Sequence, residues 1–283
     1  MTSPFIWLQH VAPQHGLSKL AGRIAASEHP RLRDLLIRRF VRAYAVDMAE
    51  AEREAHEYGS FNDFFTRSLK PGARPLADAR HFVLSPADGA VSQLGPITGG
   101  RIVQAKGREY SPAELLAGDA ALAERFHDGS FVTVYLSPRD YHRVHMPVAG
   151  TLRQTRYVPG RLFSVNTATA GGVRNLFARN ERLVSLWETE LGQVAVVMVG
   201  AMIVAAIETV WGGRVEAHGR KILEQDFPAQ GAGAVRLEAG AEMGRFLLGS
   251  TVVLLFEPGR VQWLRELGEL SVLRMGEAIG RRL

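Results

Sequence analysis

The chain of 283 residues has an ordinary globular composition, with 46% hydrophobic residues and a formal net charge of +5 at pH 7. This length suffices for one large domain or two modest ones with a substantial buried core. Cysteine is absent, which excludes structural disulfides, thiolate metal sites and a cysteine nucleophile. Any nucleophile of this protein must therefore be an oxygen or a nitrogen.

The positive charge is concentrated in residues 1–42, whose excess of basic over acidic side chains equals the net charge of the whole chain. A basic end beside a neutral body indicates an anionic partner, either a membrane leaflet or a nucleic acid. No stacking aromatic residues lie among the arginines, which argues against nucleic acid. The apolar residues of this end instead predict short amphipathic stretches, either lying on a bilayer or packing against the protein's own body; they are Phe5, Ile6, Trp7, Leu8, Val11, Leu17, Leu20 and Ile24.

The N-terminus lacks the continuous apolar segment and the small-residue cleavage site of a secretory signal, so we expect a cytoplasmic protein. The longest uncharged apolar stretch, residues 194–207, is too short to span a bilayer and is typical of buried strands. The sequence thus predicts a protein of the cytoplasm that associates peripherally with a membrane.

Helical spacing of apolar residues extends from residue 18 to about residue 58. Within it, Asp47 is expected to cap an acidic, alanine-rich helix that runs through Glu57. The prolines and glycine at Pro71, Gly72 and Pro75 predict a boundary. We therefore divide the chain into a helical, membrane-associating region, 1–70, and a catalytic body, 71–283.

Short runs rich in Val, Ile, Leu and Tyr recur after residue 80, separated by turn residues, and predict strands. One helix is predicted from Ser111, with Pro112 in its first turn, to about Phe126. The predicted fold class is α+β: N-terminal amphipathic helices followed by a predominantly antiparallel β body. The predicted strands are 82–84, 90–94, 101–105, 131–136, 151–157, 183–188, 194–199, 202–208, 221–224 and 251–256.

The pair Gly249-Ser250 interrupts two β-like runs, Gly244 to Leu247 and Val252 to Phe256. Glycine can adopt a strained conformation and leaves its carbonyl open to the neighbouring hydroxyl, so Ser250 is a candidate nucleophile against its own peptide bond. Taken alone, the pair is more typical of a bulge or a tight bend than of a reactive site.

Two histidines, His142 and His145, follow a predicted strand and precede Pro147. Histidine exchanges protons near neutral pH, which makes both candidates for acid or base chemistry. No carboxylate or third histidine stands at metal-ligand spacing beside them, so we predict no metal site. With Ser250 as nucleophile and a histidine as base, Asp88 in an Asp-Gly turn supplies a candidate for the orienting acid. Such a set is recognised by its geometry and not by its order in the sequence.

The chain resembles bacterial phosphatidylserine decarboxylases. This resemblance rests on six segments in the family's order: the Phe-Asn-Asp-Phe-Phe segment at 61–65, the Ser-Pro-Ala-Asp-Gly turn at 85–89, the histidine cluster at 141–145, residues 158–166, residues 176–182 and the Gly-Ser motif at 246–251. The match runs nearly end to end along the chain.

The resemblance implies a self-cleaving proenzyme that makes its own prosthetic group. Asp88 would orient His145, His145 would take the proton of Ser250, and Ser250 would attack the Gly249 carbonyl. Cleavage would give a large chain, 1–249, and a small chain, 250–283, that begins with a covalent pyruvoyl group derived from Ser250. A Schiff base on that group would carry the decarboxylation of phosphatidylserine to phosphatidylethanolamine, with His142 as the acid or as the residue handling the carboxylate.

Two other readings stay open from the residues alone. One is a serine hydrolase using Asp88, His145 and Ser250, although the Gly-x-Ser-x-Gly elbow is missing. The other is a non-catalytic membrane-binding module.

The expected partners are phosphatidylserine, an anionic membrane surface and the two chains of one precursor, with no nucleic acid; a homodimer is the default oligomer.

Overall fold

The computed structural model describes residues 9, 12–201, 206–215, 219, 221–247 and 250–283. In this part the helices are α1 Gln14–Ala25, α2 Pro30–Tyr44, α3 Phe61–Phe65, α4 Pro112–Leu115, α5 Ala120–Glu124, α6 Thr167–Gly172 and α7 Leu176–Arg179. None of the helices described is long and apolar enough to cross a membrane.

The N-terminal helices pack around a small aromatic core. Helix α2 begins at Pro30, whose fixed φ suits a first helical position, and ends before Ala45, which is left-handed with φ 50°. Phe40 of α2 contacts the rings of Phe61, Phe64 and Phe65 at centroid distances of 5.1, 6.0 and 5.7 Å. This core fixes α3, which begins where the Ser60 side chain accepts a hydrogen bond from the Asp63 amide.

The helix predicted from Asp47 through Glu57 is wrong, since this segment forms turns. Asp47 accepts a hydrogen bond from the Ala49 amide, which closes a turn in place of a helical cap. Ala51 pairs with Leu69 in an isolated bridge, and Glu50 binds Arg74 and Arg274. These tertiary contacts outweigh the weak helical preference of the segment.

The predicted helix from Ser111 to Phe126 is broken into α4 and α5. Both pieces have the expected kind of cap, with the Ser111–Glu114 capping box on α4 and Asp119 on α5. Between them Ala117 and Gly118 both have positive φ, 70° and 88°, which no helix accommodates. The helical periodicity therefore belongs to two short helices that share a buried face.

The body of the protein is β-rich. Its strands are β1 Phe82–Leu84, β2 Gly89–Pro96, β3 Ile102–Ala105, β4 Arg108–Tyr110, β5 Ser130–Leu136, β6 Arg143–His145, β7 Gly150–Val158, β8 Arg182–Thr189, β9 Gly192–Val199, β10 Ile207–Thr209, β11 Gly213–Arg214, β12 Leu223–Asp226, β13 Arg236–Leu237, β14 Glu242–Phe246, β15 Ser250–Phe256, β16 Val261–Trp263, β17 Val272–Leu273 and β18 Ala278–Arg282.

A nine-stranded sheet forms the centre, in the order β12-β7-β8-β9-β15-β5-β2-β17, with β13 also paired to β7. A four-stranded sheet has the order β11-β10-β14-β6, and two smaller sheets are β1-β18-β16 and β3-β4. The pairs between these named strands are antiparallel. The predicted α+β class with a mostly antiparallel body is confirmed; the predicted division after residue 70 stays a prediction.

Two hydrophobic clusters lie on opposite faces of the central sheet. Strand β15 contributes to both by alternation, with Val253 and Leu255 in one cluster and Val252 and Leu254 in the other. The second cluster also contains Val144 of β6 and Phe246 of β14. The four-stranded sheet that carries His145 is thereby packed against the face of the central sheet formed by Val252 and Leu254.

Candidate functional site

The predicted site residues converge on one end of the central sheet. Ser250 is the first residue of β15 and pairs with Leu136, the last residue of β5. On the other side of β5, Gly89 begins β2, and a Cβ on this glycine would lie 2.2 Å from the Tyr135 carbonyl oxygen. Only glycine permits this approach, so Asp88 is held just beyond the strand end. Gly249 and the side chain of Ser250 lie outside the described part of the structure.

Asp88 is buried and held by two groups. The Arg74 Nε atom donates to Oδ1 of Asp88 at 2.8 Å, and the Met275 amide donates to the same oxygen at 2.8 Å. Arg74 also donates to Glu50 at 2.7 Å. Burial lowers the pKa of Arg74, but the hydrogen bonds to Asp88 and Glu50 outweigh it and raise the pKa above its ordinary value. Asp88 is thus paired with a permanent cation, Arg74, that it shares with Glu50.

His145 is held as a neutral base. Its Nδ1 atom lies 2.8 Å from the Gly240 carbonyl oxygen, and its Nε2 atom lies 3.0 Å from the Tyr141 hydroxyl. Because a carbonyl only accepts, Nδ1 carries the proton and Nε2 is the acceptor. Burial lowers the pKa of His145 and raises the pKa of Tyr141 to about 12. Near neutral pH, Nε2 is therefore unprotonated and accepts from Tyr141.

The predicted contact in which Asp88 orients His145 is not made in the structure. The two residues are neighbours, because the His145 amide donates to the Pro86 carbonyl at 2.8 Å, two residues before Asp88. The atom that orients the imidazole, however, is the Gly240 carbonyl oxygen. Asp88 acts on His145 through its charge, which favours the protonated ring.

His142 is completely buried and stacks on Phe65 with a centroid distance of 4.0 Å and an interplanar angle of 21°. Neither ring nitrogen makes a hydrogen bond of good geometry to a described residue, although the backbone at Ser137 and Pro138 lies close enough to favour the protonated ring weakly. Burial, together with the nearby charge of Arg67, lowers the pKa of His142 to about 3. The Phe246 amide donates to the His142 carbonyl at 3.1 Å. The segment that carries this neutral imidazole therefore lies beside the chain that leads to Ser250.

Sequence reasoning missed Arg67 as part of this site. Arg67 is 3% exposed, and its Nη2 atom donates to the Arg139 carbonyl at 3.1 Å, which secures the loop before the histidines. Burial lowers its pKa, and two of its guanidinium nitrogens have no partner in the described part. A cavity of about 290 Å³ opens here, lined in part by Arg67, Arg74, Asp88 and Tyr141. The signal was available, since Arg67 stands only two residues after the segment 61–65.

The α+β fold and this sheet end, with a neutral imidazole base beside a buried carboxylate and the start of a central strand, define an enzyme. A family model described as phosphatidylserine decarboxylase matches residues 61–281, and a second, described as PSD, matches residues 4–45. The chain therefore belongs to the phosphatidylserine decarboxylase family, as the resemblance predicted.

Similar proteins cover almost the whole chain. A phosphatidylserine decarboxylase proenzyme of Stutzerimonas stutzeri is 55% identical over 98% of this chain and 94% of its own length. One of Pseudomonas aeruginosa is 57% identical over 97% of this chain and 96% of its own length. One of Bordetella pertussis is 54% identical over 97% of this chain and 93% of its own length.

Proposed function

We propose that this chain decarboxylates phosphatidylserine to phosphatidylethanolamine after cutting its own backbone between Gly249 and Ser250. The names of the relatives support the substrate and a proenzyme form. The observation that carries the proposal is the convergence at one sheet end, where Ser250 begins β15 beside Asp88 and the segment with both histidines. A serine at this point has a neutral base and a buried carboxylate in its neighbourhood.

The cleavage follows from the chemistry of these side chains. The unprotonated Nε2 of His145 takes the proton of the Ser250 hydroxyl, and the oxygen attacks the Gly249 carbonyl carbon. Tyr141 now donates to Nε2; because a phenol both donates and accepts, it either relays this proton or exchanges its hydrogen bond. The amide becomes an ester, and the released serine nitrogen takes up the proton.

Elimination then breaks the bond between Cβ of Ser250 and the ester oxygen, with loss of the Cα proton. Residues 1–249 end in the Gly249 carboxylate, and residue 250 is left as a dehydroalanine. Water replaces its nitrogen, which leaves as ammonia, so that residues 250–283 begin with a pyruvoyl group. No outside oxidant or reductant is needed, because every bond change is internal or hydrolytic.

A pyruvoyl ketone supplies an electron sink for the substrate amine. The residues present fit such a group, since neither ring nitrogen of His142 is committed to a well-formed hydrogen bond among the described residues and His142 lies beside the chain leading to Ser250. At neutral pH its imidazole is uncharged, so it offers one N–H donor and one acceptor to a polar group of the substrate. Burial, aided by the charge of Arg67, keeps it in this form.

Fresh wild-type enzyme is expected to run as two chains on denaturing electrophoresis, with a small chain of 34 residues, 250–283, that resists Edman sequencing. Reduction with cyanoborohydride in the presence of phosphatidylserine should add the mass of the lipid to this small chain alone, because only its first residue carries the ketone. Mass spectrometry of both chains is the measurement. A single intact chain with full decarboxylase activity contradicts the proposal.

Peripheral docking on the cytoplasmic leaflet of the inner membrane also forms part of the proposal. Helix α1 buries Gln14, Ser18 and Ala25 and exposes Leu17, Leu20 and Ile24, which are 45%, 56% and 42% exposed. An apolar stripe turned outward from a helix is typical of an interfacial anchor and not of packing against the protein's own body. The other apolar residues predicted for docking, Phe5, Ile6, Trp7, Leu8 and Val11, lie outside the described residues.

Replacing Leu17, Leu20 and Ile24 with glutamine is expected to lower binding to phosphatidylglycerol vesicles at least ~10-fold, at ~1 kcal/mol or more lost per apolar side chain. Co-sedimentation measures it. The control replaces Leu270 and Leu283, which are even more exposed, at 63% and 65%, and lie elsewhere on the surface; it should bind normally. Activity on detergent-dispersed substrate should persist in both; unchanged sedimentation of the α1 variant refutes membrane docking by this stripe.

A further inference from the structure

A large cleft lies between α1 and the ends of strands β7 and β8. It has a volume of about 840 Å³, and its lining includes His15, Lys19, Tyr157, Arg161, Arg179 and Glu181. This volume is in the range of sites that hold a small-molecule ligand. His15 and Lys19 stand one helical turn apart on α1, so one face of this helix forms a wall of the cleft.

The cleft presents uncompensated positive charge. Lys19, Arg161 and Arg179 form no ion pair with a carboxylate in the described part of the chain, and all three are exposed. Arg179 is held with its guanidinium 5.1 Å from the ring centroid of Phe163. The acid of the lining is Glu181, whose pKa is raised by burial, which favours its uncharged form. The lining therefore suits an anion.

The position of the cleft relates it to Ser250. The Gly200 amide donates to the Glu181 carbonyl at 2.8 Å, and Val199 pairs with Thr251. Two strand spacings of ~4.8 Å thus place the Glu181 backbone ~10 Å from the start of β15. Tyr157 of the lining belongs to the same hydrophobic cluster as Val252, whereas Arg179 packs on Phe163 of the opposite cluster, so the cleft lies across this end of the sheet, between its two faces.

The ~10 Å between the Glu181 backbone and the start of β15 suits the phosphodiester of the proposed substrate. In phosphatidylserine three bonds separate the α-carbon, which has to lie at residue 250, from the phosphorus of a phosphodiester that carries one negative charge. Arginine side chains match phosphate oxygens with paired N–H donors. Helix α1 reaches the cleft through Gln14, whose Oε1 accepts from the Leu162 amide at 2.9 Å, and through His15, whose ring lies 3.1 Å from the Gly160 carbonyl oxygen.

From this geometry we infer that Arg161 and Arg179, assisted by Lys19, bind the phosphodiester of the phosphatidylserine head group. The inference rests on the proposed function. It assigns these residues to substrate binding and leaves self-cleavage and the reacting atoms to the sheet end at Ser250. The same helix, α1, then offers its apolar stripe to the leaflet and a different face to the head group.

Arg161→Gln and Arg179→Gln are each expected to raise KM for monomeric dihexanoyl-phosphatidylserine ~10-fold, with kcat nearly unchanged and self-cleavage complete. The double variant should exceed either single one, and Arg161→Lys should recover part of the loss because it keeps the charge. Arg31→Gln is the matched control, since it removes an exposed cation of α2 outside the cleft. Glycerophosphocholine, a phosphodiester without a primary amine, should inhibit wild type competitively and the double variant much less.

The soluble substrate separates head-group binding from attraction to a charged membrane. If the variants lose activity only on phosphatidylglycerol-containing vesicles and keep the wild-type KM for the monomeric lipid, the arginines act on the bulk membrane and the inference is wrong. Unchanged inhibition by glycerophosphocholine overturns it as well. Failure of wild type to cleave or decarboxylate would instead sink the proposed function, so the two failures are distinguishable.

Discussion

Ser250→Ala is expected to leave the chain intact at 283 residues and to abolish decarboxylase activity completely. Without the hydroxyl no ester can form at Gly249, so neither chain end nor ketone is produced. Alanine fits a strand start, and the backbone pairing of residue 250 with Leu136 needs no side chain. The folded precursor should therefore accumulate with a circular dichroism spectrum close to that of wild type.

Thr251→Val is the matched control for this experiment. Thr251 is fully buried on the same strand, and its Oγ1 has no hydrogen-bond partner among the described residues. Exchanging an unbonded buried hydroxyl for a methyl group of the same shape costs little. This variant should cleave and decarboxylate like wild type. Cleavage in Ser250→Ala, detected by intact-mass spectrometry, would remove Ser250 from the mechanism.

The second large effect separates the two histidines. His145→Ala is expected to slow self-cleavage by ~10³-fold or more, because it removes the unprotonated Nε2 that takes the serine proton. His142→Ala should still cleave but decarboxylate ~10²-fold or more slowly, because the neutral ring beside the chain to Ser250 is lost. Densitometry of the two chains and release of labelled carbon dioxide measure the two steps.

His142→Phe is the packing control, since it keeps a ring against Phe65 but removes both nitrogens. It should fold, cleave and decarboxylate as poorly as the alanine variant. The pKa of His142 lies far below its ordinary value, at about 3, so protonation is lost as pH rises through about 3 and the ring is neutral from pH 5 upward. Wild-type decarboxylation should therefore show no step from His142 near pH 6.5. A precursor of His142→Phe that stays uncleaved would reverse the assigned roles.

The class of fold and the residues of the site were accessible from the sequence, because both depend on local patterns. Strand β15 and its neighbours are apolar runs bounded by turn residues, and Asp88, His142 and His145 stand in dense motifs. Helix boundaries were less accessible: the segment after Asp47 is helical by composition, yet Glu50 is drawn to Arg74 and Arg274 far along the chain.

The contacts that tune the site could not be predicted, since each joins residues distant in sequence. Gly240 fixes the tautomer of His145 across 95 positions, and Met275 holds Asp88 across 187. Arg74 was not predicted as a site residue, because nothing in the sequence indicates that an arginine within the boundary segment, between Gly72 and Pro75, is buried. The expected pairing of Asp88 with His145 followed the usual logic of a triad; here a backbone carbonyl fills that position.

Strand β15 is paired along its length on both sides, with β5 and with β9, and the proposed cut falls at its first residue. Residues 250–283 also supply β17, at one edge of the central sheet, and the strands β16 and β18 of the three-stranded sheet. We expect residues 250–283 to enter the middle of the central sheet during folding, before the cut, while they are still joined to the rest of the chain. After the cut, the unfolded molecule could refold only by association of two separate chains. The lifetime of the mature enzyme is therefore governed by its rate of unfolding.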